Sequence, residues 1–174
     1  MALARYYATK RFIAPQGNSS PGRRLGIHNR EHIMPIRKAN AEWLGNFEDG
    51  KGIIRFGDGR FEEPYTADSR FGAGTQTNPE ELIAAAHAAC FSMAFAKVLA
   101  DAGKPADRIE TAAEVNLEKQ GEGFGIATIT LTTGAAAPGL EDDALRECAE
   151  AAKTNCPVSQ ALAGCAIKLV VRKL

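Results

Sequence analysis

The chain has 174 residues, 45% of them hydrophobic, with 21 Lys+Arg against 21 Asp+Glu; this composition suits one globular domain with its own core and excludes a chain disordered throughout. No uninterrupted apolar stretch reaches the ~18 residues of a membrane span, so a soluble protein without a membrane partner is expected. The zero net charge is a sum of unlike parts: residues 1–33 hold six basic residues (Arg5, Lys10, Arg11, Arg23, Arg24, Arg30) and one acid (Glu31), a balance of +5, while residues 34–174 hold 15 basic and 20 acidic residues, a balance of −5.

The basic arm admits four readings. An organellar transit peptide would be Arg-rich and acid-poor like this one, but would also show an amphipathic apolar stripe. Charges at Arg5, Lys10 and Arg11 interrupt the apolar core that a secretory signal needs. A nucleic-acid tail would use Tyr6, Tyr7 and Phe12 beside the arginines, but no recognisable module surrounds them. Pro15, Gly17, Pro21, Gly22 and Gly26 break any regular element. We therefore expect residues 1–33 to be a basic extension, flexible or non-native, with no nucleic-acid partner, and residues 34–174 to be a single domain.

Short apolar-containing runs at Ala39–Leu44, Ile53–Phe56 and Arg60–Tyr65 predict a β-meander, with Gly50-Lys51-Gly52 and Gly57-Asp58-Gly59 as its turns. A loop through Gly72, Gly74 and Thr75 leads to Asn78-Pro79-Glu80-Glu81: a capping side chain, a proline suited to the first helical position, and acids that complement the helix dipole. The helix that starts there runs to about Asp101 and is apolar almost all round, so it belongs in a core or at a tight interface. Gly103 ends it and Pro105 keeps it from resuming. Alternation predicts a hairpin of strands at 109–118 and 125–133 about a Lys119–Gly123 turn, with Ile129 and Leu131 on one side of the second strand. Glu141, Asp142 and Asp143 open a second helix to about Thr154, a short turn of helix spans Val158–Leu162, and a β-branched strand closes the chain at Ala166–Val171. The fold class is α+β.

Four cysteines, Cys90, Cys148, Cys156 and Cys165, show no metal-ligand spacing. Cys90 lies mid-helix, where a thiol often serves as a small core hydrophobe. Cys156, between the second helix and Pro157, is expected to face a loop, and Cys148 and Cys165 to be packing residues. His87 precedes Cys90 by one helical turn. A Cys-His nucleophile pair and a metal site can both be drawn from this, but the other histidines, His28 and His32, lie in the arm. We expect no metal and a packed His87.

The run Arg70-Phe71-Gly72, Gly74, Thr77-Asn78-Pro79-Glu80-Glu81-Leu82-Ile83 and Ala84-Ala85-Ala86-His87-Ala88-Ala89-Cys90-Phe91-Ser92-Met93-Ala94, with Asn155-Cys156-Pro157-Val158-Ser159-Gln160 some 60 residues on, resembles the osmotically inducible protein C (OsmC) family of thiol peroxidases. The forms of these motifs are closer to the OsmC branch than to the organic hydroperoxide resistance branch. The resemblance runs from about Lys38 to the C-terminus. It implies an OsmC-like fold of antiparallel sheets around a long buried central helix, in an intertwined homodimer with sites between subunits. It also implies the roles: Cys90 attacks a hydroperoxide and becomes a sulfenic acid, Cys156 resolves it as an intrachain disulfide, Arg70 holds the thiolate, and Glu80 holds Arg70. No metal, haem or flavin is needed; an external thiol reductant is, and the resemblance suggests a lipoyl-type dithiol. A cytoplasmic setting is expected.

Physical chemistry limits these roles. An apolar helix raises a thiol pKa, so Cys90 needs a fixed cation, and Arg suits because it stays charged; Arg55 and Arg60 are competitors for that place. Helix rotation puts Glu81 opposite Cys90 and Glu80 about 80° away, but ten residues span roughly 15 Å of axis. Glu80, with Arg70, is thus expected to serve the partner subunit's cysteine. Small apolar neighbours (Ala86, Phe91, Met93, Phe95) suggest organic hydroperoxides over H2O2. A non-enzymatic redox switch of Cys90 and Cys156 is the alternative, and a Cys-His acyl-transfer enzyme would instead demand His87.

Overall fold

The computed structural model describes residues 35–174; the arm of residues 1–33 and the expectations placed on it lie outside the described residues. Three strands, β1 (Ala39–Leu44), β2 (Lys51–Phe56) and β3 (Phe61–Thr66), form an antiparallel meander in the order β1-β2-β3. The first turn is not Gly50-Lys51-Gly52. It spans residues 45–50, where Asn46 accepts from the Asp49 backbone N–H at 2.8 Å, and Gly52 lies inside β2. Gly52 is needed there because it pairs with Trp43 on one side and Tyr65 on the other, whose rings meet across it at 5.3 Å; a Cβ would strike the Tyr65 ring. The second turn falls where expected, with Gly57, Asp58 and Gly59 all at positive φ.

A helix the sequence reading left out, α1 (Ala67–Phe71), follows at once. Thr66 caps it by accepting from the Ser69 N–H at 3.0 Å, and the Ser69 hydroxyl accepts from the Thr66 N–H at 3.0 Å. The long helix α2 (Pro79–Asp101) begins as predicted, Asn78 accepting from the Glu81 N–H at 2.9 Å. It closes on Gly103 at φ 70°, with the Lys104 N–H donating to the Leu99 carbonyl at 2.9 Å.

Strands β4 (Arg108–Gln120) and β5 (Gly123–Ala136) make a long antiparallel hairpin. It extends past both predicted ends because its turn needs only residues 121–122, Gly121 supplying φ 62°. The chain then crosses through α3 (Asp142–Asn155) and the short α4 (Pro157–Ala161) to β6 (Ala166–Lys173), which joins β5 in parallel. The second sheet is therefore mixed, in the order β4-β5-β6.

α2 packs on β4 and against α3. Its fully buried residues recur every fourth position, His87, Phe91, Phe95 and Leu99, and meet Leu131 and Ala135 of β5 and Leu145, Ala149 and Ala152 of α3. Full burial of each large apolar side chain in this stripe contributes about 1.5–3 kcal/mol. Hydroxyls tie the helix to the sheet: Ser92 Oγ lies 2.8 Å from Thr111 Oγ1, which lies 2.9 Å from Thr133 Oγ1. The single chain covers only this stripe of α2. Ala85, Ala86, Ala89 and Met93 stay exposed, Met93 at 69%, an apolar face that α2's own chain leaves uncovered. In length and composition α2 would also suffice to cross a membrane, but its Phe91, Phe95 and Leu99 are enclosed by the sheet and helices of the same chain.

Candidate active site

The fold assembles the four candidate side chains as two pairs. Cys90 projects from the middle of α2, and Cys156 sits at the junction where α3 ends and α4 begins, as the residue preceding Pro157. Packing of α2 against α3 and α4 brings the two thiols close enough for each to act on the other's protonation. Both are free thiols. The burial of the two is the reverse of what their sequence positions suggest: Cys156 is 0% exposed, while Cys90 is partly open. The α3–α4 junction turns its Cys156 side inward onto α2, so a thiol at a loop boundary is enclosed.

Their protonation differs for identifiable reasons. Burial pushes the Cys90 thiol up; the Val158 backbone N–H opposes this, and the neighbouring Cys156 reinforces it. Burial also pushes Cys156 up, but the Ser159 backbone N–H, the Ser159 hydroxyl, the Cys90 thiol and the Val158 N–H all favour its thiolate, and together they bring it below an ordinary thiol. Of the two thiols, Cys156 is thus the easier to deprotonate. Among the described residues no cationic side chain acts on Cys90.

The second pair is an ion pair. Arg70, in the last turn of α1, meets Glu80, in the first turn of α2, through Nη2 at 2.7 Å and Nε at 3.0 Å from the same carboxylate oxygen. Glu80 is well covered, its side chain 12% exposed, so the carboxylate has given up most of its water to hold this guanidinium. The Phe71 ring lies under the guanidinium at 5.1 Å. Arg70 and Glu80 line a cleft of about 310 Å³ with Ala84 of α2 and Ala113 and Val115 of β4. Neither cysteine lines that cleft. The structure therefore joins Cys90 to Cys156 and Arg70 to Glu80, but does not join the two pairs within one chain. The competing arginines are engaged elsewhere, Arg55 with Glu62 at 2.7 Å and Arg60 with the Gly57 carbonyl at 2.8 Å.

Cys165 bonds to the Leu162 carbonyl at 3.1 Å and Cys148 packs against the core. Among the described residues no group of three His, Cys, Asp or Glu side chains converges as a metal site would. The residue whose environment sequence reasoning missed is Ser159. It is 5% exposed and lies 2.8 Å from the Nε2 of the fully buried His87. No local signal reveals this contact, because it bridges two helices distant in sequence.

Residues 72–172 match the family of OsmC-like proteins. Over 127 residues, covering 72% of this chain and 89% of the relative, the sequence is 42% identical to peroxiredoxin OsmC of Escherichia coli, and the same values hold for peroxiredoxin OsmC of Shigella flexneri. The organic hydroperoxide resistance protein OhrB of Bacillus subtilis superposes with a TM-score of 0.63 at 30% identity, over 78% of this chain and 98% of that one. An organic hydroperoxide resistance protein of Elizabethkingia anophelis superposes at 0.65 with 25% identity, over 82% of this chain and all of the other.

Proposed function

The chain belongs to the OsmC-like protein family and is a cysteine-based peroxidase; we propose that it reduces organic hydroperoxides through Cys90 and Cys156. The observation that carries this reading is the contact of the two thiols, one of them partly open and the other enclosed. Only the open thiol can meet a peroxide, so Cys90 attacks the hydroperoxide oxygen and leaves as a sulfenic acid while the alcohol departs. Cys156, already alongside, then forms the disulfide and releases water. A second thiol close at hand protects the sulfenic acid from further oxidation.

Cys90 acquires its negative charge only when a cation reaches it. We place that cation in the partner subunit: Arg70, held by Glu80, faces the Cys90 of the second chain in a homodimer with sites between subunits. Three features support this arrangement. The Arg70–Glu80 pair is preformed, no cation among the described residues acts on Cys90, and α2 has an apolar face left uncovered.

The reaction requires no bound cofactor. A thiol reductant must reopen the disulfide, and we assign that role to an external dithiol of the lipoyl type, in a reducing, cytoplasmic compartment where such a disulfide turns over. One equivalent of cumene hydroperoxide followed by mass spectrometry without reductant tests the centre of the reading. A Cys90–Cys156 disulfide is expected, absent in Cys90→Ser; its absence from the unsubstituted protein would overturn the reading. Continued peroxide loss with added dithiol separates an enzyme from a redox switch, which stops after one equivalent. The apolar setting of Cys90 predicts a kcat/KM for cumene hydroperoxide above that for H2O2, and equal values would refute the assigned substrate class.

A further inference from the structure

His87 and Ser159 have no part in the chemistry described so far, yet both are enclosed, at 0% and 5% exposure. A histidine inside an apolar core costs free energy unless its ring nitrogens are used. Here Nε2 meets Ser159 Oγ at 2.8 Å, and Nδ1 finds no partner among the described residues. Burial lowers the His87 pKa, so the ring is neutral and carries one proton. Ser159 in turn is the third residue after Cys156, which stands immediately before α4. This spacing places a residue's side chain opposite the group preceding the helix, the geometry of a capping pair. Ser159 thus stands one helical turn from Cys156, and its hydroxyl is among the groups that bring the Cys156 thiol down.

We propose that His87 and Ser159 are positioning residues for resolution of the oxidised enzyme: His87 Nε2–H donates to Ser159 Oγ, which leaves the hydroxyl proton of Ser159 directed at Cys156 Sγ. A hydroxyl has one proton to give, and a serine that donated it to His87 would have none for the sulfur. With the ring nitrogen as donor, the proton is committed to Cys156 and stabilises charge on the attacking sulfur. The step balances as Cys90–SOH plus Cys156–SH giving the disulfide and one water. The S–O bond breaks, the S–S bond forms, and the proton of Cys156 leaves with the hydroxide.

The inference rests on Cys156 being the resolving cysteine, and the experiment separates the two. Reduced protein is mixed with one equivalent of cumene hydroperoxide, and the Cys90 sulfenic acid (trapped with dimedone) and the disulfide are followed separately in time. Ser159→Ala should leave the formation of sulfenic acid at its normal rate and slow its conversion to disulfide about tenfold at pH 7. The deficit should shrink toward pH 9, where an unassisted thiol deprotonates by itself. Of the other titratable groups, Cys90 on α2 and Cys148 on α3 pack on the same core as Cys156, His87 on α2 meets Ser159, and Lys153, three residues back on α3, is already paired with Glu150 at 2.6 Å. Ser159→Thr, which keeps the hydroxyl, should recover most of the rate, and His87→Leu, which removes the donor, should show the same slowed second step as Ser159→Ala. Normal resolution in Ser159→Ala and His87→Leu, or equal slowing of both steps, overturns the proposal. Cys156→Ser is the control for the parent reading: it must accumulate sulfenic acid, and failure to do so removes Cys156 from the reaction whatever Ser159 does.

Discussion

Cys90 and Cys156 are positioned by the core, whereas Arg70 and Glu80 are positioned by two helix ends. The thiols meet because Phe91, Phe95 and Leu99 lock α2 against β5 and α3, so their contact is as firm as the packing around it. The ion pair depends on local features: the Thr66–Ser69 cap that forms a five-residue helix, and the Asn78 cap that starts α2. Each pair lacks what the other has. Among the described residues no cation acts on Cys90, and neither cysteine lines the cleft that holds the guanidinium. The proposed homodimer would bring the two pairs together and would also cover the exposed face of α2.

The largest effect should come from removing the cation. Arg70→Ala should lower kcat/KM for hydroperoxide about 10²–10³-fold, the range seen when one preorganised charge-stabilising donor is lost. Subunit exchange sharpens the test. Dimers of Cys90→Ser and dimers of Arg70→Ala, each close to inactive, should after random mixing regain about a quarter of normal activity, since half the dimers then carry one intact site of two. No recovery after exchange would return Arg70 to its own chain's cysteine.

A smaller loss is expected at Glu80. Glu80→Gln keeps an oxygen for the guanidinium but removes the charge, and should lower kcat/KM about tenfold while leaving disulfide formation between Cys90 and Cys156 intact. A loss as large as that of Arg70→Ala would mean that Glu80 itself touches the reacting atoms.

The smallest effect concerns stability at the thiol side. His87 has a folded-state pKa below its ordinary 6.5, so the unfolded chain takes up a proton first as pH falls. The contribution of neutral His87 is complete above pH 6.5 and is lost progressively below it, toward the lowered folded value. The midpoint of urea unfolding should therefore decline from pH 7 to pH 5, and less steeply in His87→Gln. An equal decline in both would show that other groups govern acid stability.

Much of the fold was legible in residues with local causes. Asn78 and Pro79 mark the start of α2 because a cap acts within one turn, and Gly57-Asp58-Gly59 marks its turn because left-handed backbone is local. The helix α1 escaped notice because its capping pair is Thr66 with Ser69, without the Glu or Gln that makes such a box conspicuous. Gly52 looked like a turn residue, and only the register that sets Trp43 and Tyr65 on either side of it explains a glycine inside a strand.

Taken alone, the sequence determined the α+β class, the apolar central helix, and the motifs around Arg70, Glu80, Cys90 and Cys156, since propensity, capping and residue type act over a few positions. Tertiary structure decided the parallel pairing of β6 with β5, the enclosure of Cys156 rather than Cys90, and the contact of His87 with Ser159. Those features arise where segments distant in the chain are packed together, and burial and hydrogen bonding across helices are properties of that packing, not of any single stretch of residues.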